Sequence, residues 1–187
     1  MKKEFQYNKN DLKQPTAVLV AVVPPRQSDK KTKEYLDELA FLADTLGVKT
    51  VKTFTQRLDK HDAKYFVGKG KMEEISAYVK MFEVDMVVFD DDLSSAHVRN
   101  LEKVLPEVMV IDRSLLILQI FTKRAQTAQS RAQVELAQYE YMLPRLTNLW
   151  THHSRQRGGV NMRGPGESEL ETDKRIIKDK IAFLKDK

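Results

Sequence analysis

A chain of 187 residues with 41% hydrophobic side chains is long enough for one ordinary domain, or a domain plus an appendage. It contains no cysteine, which excludes disulfides, thiolate metal sites and cysteine nucleophiles together. Its 32% charged residues are mixed in sign around a net +5, which argues against overall disorder. The N-terminus carries lysines but no apolar signal-peptide core, and no apolar run approaches membrane-spanning length. A cytoplasmic protein is expected.

The first part, residues 1–112, alternates strand and helix. The continuous apolar run Ala17–Val23 predicts a parallel strand covered on both faces, ended by Pro24-Pro25. Ser28 or Asp29 can cap a helix whose buried stripe is Leu36, Leu39, Leu42, Ala43 and Leu46, and Gly47 stops it. A second strand is predicted over Val48–Thr55, then a helix over Met72–Phe82 and a third strand over Met86–Phe89. A helix over Ser94–Leu105 and a strand over Val108–Ile111 follow. This rhythm predicts an α/β domain with a four-stranded parallel sheet, right-handed crossovers and flanking helices.

The second part, residues 113–187, reads as helix around a glycine-rich loop. From Leu118 to Trp150 apolar or small residues recur at spacings of three and four: Phe121, Ala125, Ala128, Ala132, Leu136, Tyr139, Leu143 and Leu146. One helix over Ser114–Trp150, about 55 Å long at 1.5 Å per residue, is predicted, with a bend near Pro144. Leu170, Ile177, Ile181 and Leu184 predict a second helix returning antiparallel on the first as a coiled-coil-like hairpin. The pattern runs to the last residue without a stop signal, so the natural chain is expected to continue beyond Lys187.

The positive charge is concentrated there. Residues 113–163 hold eight basic side chains and two acidic ones, a net +6, whereas the remainder holds 24 basic and 25 acidic, a net −1. Between the helices lies the stretch 155–167, with Arg155, Arg157, Arg163, four glycines and Pro165 in thirteen residues, and no acid before Glu167. Glycine allows close backbone approach, and arginine offers a planar fork for phosphates. A cationic, glycine-rich tip on a helical hairpin suits a probe that enters a polyanion, RNA foremost. A solvated helix face is the plainer alternative, and a homodimerising coiled coil is another. Salt separates them, since RNA binding weakens steeply as salt rises and an apolar seam does not.

Other candidates for chemistry are weaker. Gly159–Gly164 has the glycine spacing of a P-loop, but Pro165 and Gly166 stand where Lys and Ser/Thr are needed. The turn Gly68-Lys69-Gly70-Lys71 precedes a helix and could bind phosphate as a small anion nest, or be only a strand-to-helix turn. Asp90, Asp91 and Asp92 fall at the end of the third strand, where an acidic Mg²⁺ pocket or plain capping residues are both open readings. His152-His153 lacks a third ligand, and His61 and His97 read as isolated polar-face residues. No nucleophile–base pair stands out, so catalytic residues are not expected.

The run Gly158–Asp173 (GGVNMRGPGESELETD) resembles the signature of HflX, a family of translational GTPases. Tyr65–Lys71, Val88–Ser94 and Gln133–Leu146 are similar to further family segments, in family order. One departure is Asn161, where the family usually has glycine; asparagine tolerates the left-handed conformation better than other non-glycine residues. The resemblance implies an N-terminal α/β domain plus hairpin, followed by a GTPase domain using GTP and Mg²⁺. Neither a Walker A nor an N-K-x-D motif occurs here, so GTPase activity and a cofactor are not expected of this chain itself. The resemblance further implies binding to the large (50S) ribosomal subunit and separation of stalled or stress-inactivated ribosomes; a monomer is expected. The rRNA contacts would come from Arg155, Arg157, Gly158, Gly159, Asn161, Arg163, Gly164 and Gly166. An alternative reading is an ATP-binding or ATP-hydrolysing α/β domain using Gly68–Lys71 and Asp90–Asp92.

Overall fold

The computed structural model describes residues 14–156 and 165–185, with side chains described over 14–145 and 175–185. Its elements in chain order are β1 (Thr16–Val23), α1 (Asp29–Leu46), β2 (Lys49–Arg57), α2 (Lys69–Met81), β3 (Met86–Phe89) and α3 (Ser95–Val104). They continue with β4 (Met109–Asp112), α4 (Arg113–Arg124), α5 (Ala128–Gln156) and α6 (Pro165–Lys185).

The four strands form one parallel sheet in the order β2-β1-β3-β4. Alternate side chains of the apolar strands feed two cores. Val18, Val20, Val87, Phe89 and Val110 join Met72, Ile75 and Val79 of α2 and Leu101 of α3. Ala17, Leu19, Met86, Val88 and Ile111 join Leu39, Ala43 and Leu46 of α1 and Leu116 and Ile120 of α4. Helices on both faces explain why β1 from Ala17 onward and all of β3 are apolar at successive positions rather than at every second one. The chain moves from β1 to β2 past α1, and from β2 to β3 to β4 past α2 and α3 on the opposite face. All three crossovers therefore share one hand, as expected for parallel sheets.

The helix ends follow local chemistry. Ser28 caps α1 through its side chain, which accepts from the Lys31 amide. Gly47 closes α1 at φ 94°, a left-handed conformation that suits glycine, with its amide donating to Asp44.

The single long helix expected over Ser114–Trp150 is in fact two. α4 stops at Arg124, the backbone of Ala125 turns extended, and α5 begins at Ala128. Thr127 and Ser130 stabilise the new start reciprocally: each backbone amide donates to the other's hydroxyl, at 3.1 and 3.0 Å. The break lets α4 lie on the sheet beside α1, completing the second core, while α5 departs from it. α5 then runs through Pro144 to Gln156. The late part of α6 lies against the early part of α5, with Lys180 Nζ 2.7 Å from the Tyr139 hydroxyl and Lys185 Nζ 2.8 Å from Glu140. Among the described residues no helix is long and apolar enough to cross a membrane.

Candidate nucleic-acid arm and sheet-edge crevice

The strand order reverses direction between β1 and β3, and a crevice opens at their carboxyl ends, where open α/β sheets place ligands. It holds about 660 Å³ and is lined by segments following all four strands, among them Pro24, Leu58–His61, Asp90, Asp91 and Arg113, with Tyr35 from α1. Arg113 is the central cation. Its Nε and one terminal nitrogen donate to Asp90 Oδ1 at 3.1 and 2.8 Å, and its other terminal nitrogen donates to Glu38 at 3.2 Å. Burial raises the carboxyl pKa of Asp90 above its ordinary value, and the hydrogen bond from Arg113 offsets this only in part.

The three aspartates, weak candidates for a metal pocket, diverge. Asp90 faces Arg113, Asp91 lies 3.3 Å from His61 Nε2, and Asp92 accepts from the Ser114 hydroxyl at 2.6 Å. Among the described residues no group of three His, Asp or Glu side chains is arranged to hold a metal ion. Gly68–Lys71 sits apart from the crevice lining, at the start of α2. The Gly68 amide donates to Gln56 Oε1 at 2.8 Å, and Lys69 and Lys71 pair with Glu73 and Glu74 of their own helix. The glycine turn and the aspartates thus do not line one pocket.

His61 and His97 are not isolated. Both lie against Phe66: His61 is stacked at 4.0 Å between centroids, and His97 is edge-on at 5.6 Å. His97 Nε2 is also 3.0 Å from the Asp62 carbonyl. Asp62 organises this loop by accepting from the Lys64 and Tyr65 amides at 2.8 and 2.9 Å. Those amide bonds, Tyr65 first, hold its carboxyl below the ordinary 3.8. The loop's contribution to stability is therefore present above pH 3.8 and lost as pH falls through the lowered value. A carboxyl ¹³C titration is expected to place the Asp62 midpoint under 3.8, and a midpoint at or above it would remove this account of the loop.

The arm is joined to the sheet through Asp112, the N-cap of α4. Its carboxylate is wholly buried and accepts from the Leu115 and Leu93 amides at 2.9 and 3.0 Å. From α5 it accepts the Tyr141 hydroxyl at 2.8 Å and Arg145 at 3.0 Å. Burial, and then the Asp112 charge, push the Tyr141 phenol far above its usual range, so it stays a donor. Arg113 and Arg145 are thus ion-paired within the molecule, which interrupts the basic stripe expected along 113–163. The sequence does not single out this joint or the Arg113–Asp90 pair. The only local signal is an Asp directly after a strand and before a helix.

Arg155 lies in the last turn of α5 and Gly166 at the start of α6. Arg157, Gly158, Gly159, Asn161, Arg163 and Gly164 lie outside the described residues.

A parallel α/β sheet domain carrying a long helical arm is the class that these features define. Two family models divide the chain near the end of α4, close to the break before α5: "GTP-binding GTPase N-terminal" matches residues 33–122 and "GTP-binding GTPase Middle Region" matches 124–187. The chain belongs to the HflX family, as its N-terminal and middle regions. It is 49% identical to the GTPase HflX of Flavobacterium psychrophilum over 170 residues, covering 91% of this chain and 41% of that protein. It is 44% identical to the GTPase HflX of Escherichia coli, covering 90% and 38%. The chain therefore spans about two fifths of the length of these curated relatives. The fold is similar to that of a GTP-binding protein from Sulfolobus solfataricus in complex with GDP, with a TM-score of 0.62 at 19% identity, over 91% of this chain and 46% of that one.

Proposed function

We propose that this chain is the ribosome-engaging region of an HflX-type GTPase, and that its arginine- and glycine-rich stretch 155–167 contacts rRNA in the large ribosomal subunit. The GTP-binding domain of the whole protein then hydrolyses GTP with Mg²⁺, and the complete protein splits or rescues stalled ribosomes. The observation that carries this reading is where the charge lies relative to the fold. α5 continues eleven residues beyond Arg145, about 16 Å past its attachment at the sheet's carboxyl edge. Arg155 lies in that last stretch, and Arg157 and Arg163 follow it in sequence. RNA at a ribosomal functional centre is phosphate-dense and accessible only to slender elements, and a stiff arm lowers the ordering entropy at binding. Arginine forks supply charge-assisted hydrogen bonds or stacking planes there.

Arg163→Ala is expected to weaken cosedimentation with large ribosomal subunits by about tenfold, the loss of one charge-assisted hydrogen bond, without changing the unfolding midpoint. Binding of the parent should also fall steeply between low and physiological salt. Capture that is indifferent to both would end the assignment.

The sheet-edge crevice supports a second reading, a nucleotide-binding α/β domain, through its position at the switch point and its volume. Calorimetry with ATP·Mg²⁺ on this chain separates the two, because only the second reading requires saturable heat.

A further inference from the structure

We propose that Asp112, Tyr141 and Arg145 form a polar joint that fixes the direction of α5, and so are positioning residues for the arginine-bearing end of that helix. The functional consequence rests on the RNA-binding reading above; the mechanical one does not.

The sheet domain's two cores are complete without α5. None of the described side chains of α5 is more than partly buried, and neither core includes a residue of that helix. Nor is the seam between α4 and α5 closed: a groove of about 330 Å³ remains, lined by Leu118, Phe121, Val134 and Ala137. An arm that shares no apolar core with its base needs some other means of holding an angle. The joint supplies it with directional bonds.

The Asp112 carboxylate accepts four hydrogen bonds, one at Oδ1 from the Leu115 amide and three at Oδ2, from the Leu93 amide of the sheet domain and from Tyr141 and Arg145 of α5. Arg145 is constrained as tightly. One terminal nitrogen donates both to Asp112 and to the Leu93 carbonyl at 3.2 Å, and the other donates to the Tyr141 carbonyl at 2.9 Å. Its guanidinium lies 3.4 Å from the Tyr141 ring centroid. A planar cation held at its edges and over an aromatic face admits few orientations. Pro144 stands immediately before it and lacks the amide that would bond the Glu140 carbonyl, so α5 is easiest to bend at this turn. The joint spans that weak point. Eleven residues farther on, a swing of about 20° displaces the end of the helix by about 6 Å, more than a hydrogen bond tolerates.

Removing Arg145 need not strand a buried charge. Once α5 lifts away, water reaches Asp112, which keeps the Leu93 and Leu115 amides. Loss of direction and loss of the fold are therefore separable.

The chain has no cysteine, so Lys33→Cys on α1 and Thr151→Cys on α5 give one clean pair of spin-label sites. Pulsed dipolar spectroscopy on the full chain is expected to show a narrow distance distribution. Arg145→Met should at least double its width, Tyr141→Phe should widen it less, and Arg145→Lys, which keeps the charge without the fork, should not restore it. The urea midpoint of the sheet domain should move little in all three. Large-subunit capture should fall about tenfold in Arg145→Met. An unchanged width, or a midpoint that collapses together with the broadening in Tyr141→Phe, overturns the joint. Broadening in a chain whose parent never binds subunits upholds the joint and ends the RNA reading. Undiminished capture by a broadened arm removes the positioning role.

Discussion

Asp112→Ala is expected to lower the unfolding free energy by about 2–4 kcal/mol, well beyond the effect of removing either of its partners on α5. The sheet domain loses two bonds at once. The side-chain cap of α4 goes, at about 1 kcal/mol, and the Leu93 amide loses its acceptor, at about 1–3 kcal/mol when a donor is left buried. Arg145→Met removes neither, since both amides still find Asp112. Asp112→Asn keeps an acceptor for the cap but presents an amide group to donors, and should fall between the two. Urea titrations with a common slope decide the matter. Equal midpoints for Asp112→Ala and Arg145→Met would mean that Asp112 matters only through the arm, contrary to its contacts with Leu93 and Leu115.

The sheet is legible in the sequence because every strand of the interior is apolar on both faces, a pattern that little else produces. β3 appears in the structure with the bounds that its four residues predict, and the caps at Ser28 and Gly47 lie where their chemistry places them. The break between α4 and α5 is less legible. Apolar and small residues continue through Ala125 and Ala128 at helical spacing, so periodicity alone reports one helix across two. A start signal does exist in Thr127-Ala128-Gln129-Ser130, but its reciprocal partner is Ser130 rather than the Glu or Gln of the usual capping box. The crevice is illegible for a different reason. Asp90 and Arg113 are 23 positions apart, and only the parallel topology brings the ends of β3 and β4 together. The same holds for Asp112 and Arg145, 33 apart, of which the sequence shows only an acid at the boundary of the two parts and one cation of a stripe. Charges counted along a chain overstate the charge presented to a partner wherever the fold pairs them internally.

Phe66→Ala is the substitution expected to cost most, about 3–5 kcal/mol, because Phe66 is fully buried and a large cavity would remain. Its ring stacks on His61 at 4.0 Å and meets Phe89 and His97 edge-on at 5.4 and 5.6 Å, so it bridges the sheet core and the loop bordering the crevice. Its backbone exchanges two 3.0 Å hydrogen bonds with Asp62 while held at φ 71°, a left-handed conformation that a bulky side chain rarely adopts. Such a conformation costs on the order of 1–2 kcal/mol and persists only where packing over-determines it. Phe66→Gly tests that balance. Glycine leaves a slightly larger cavity than alanine but accepts the backbone angle without strain, so the two variants should fall within about 1 kcal/mol of each other. Both should also release His61 from Asp91, visible as a change in the His61 ring proton shifts, because the stacked face that holds the imidazole is gone. A loss below about 1.5 kcal/mol in Phe66→Ala would show that the loop and the sheet core are not joined through this ring.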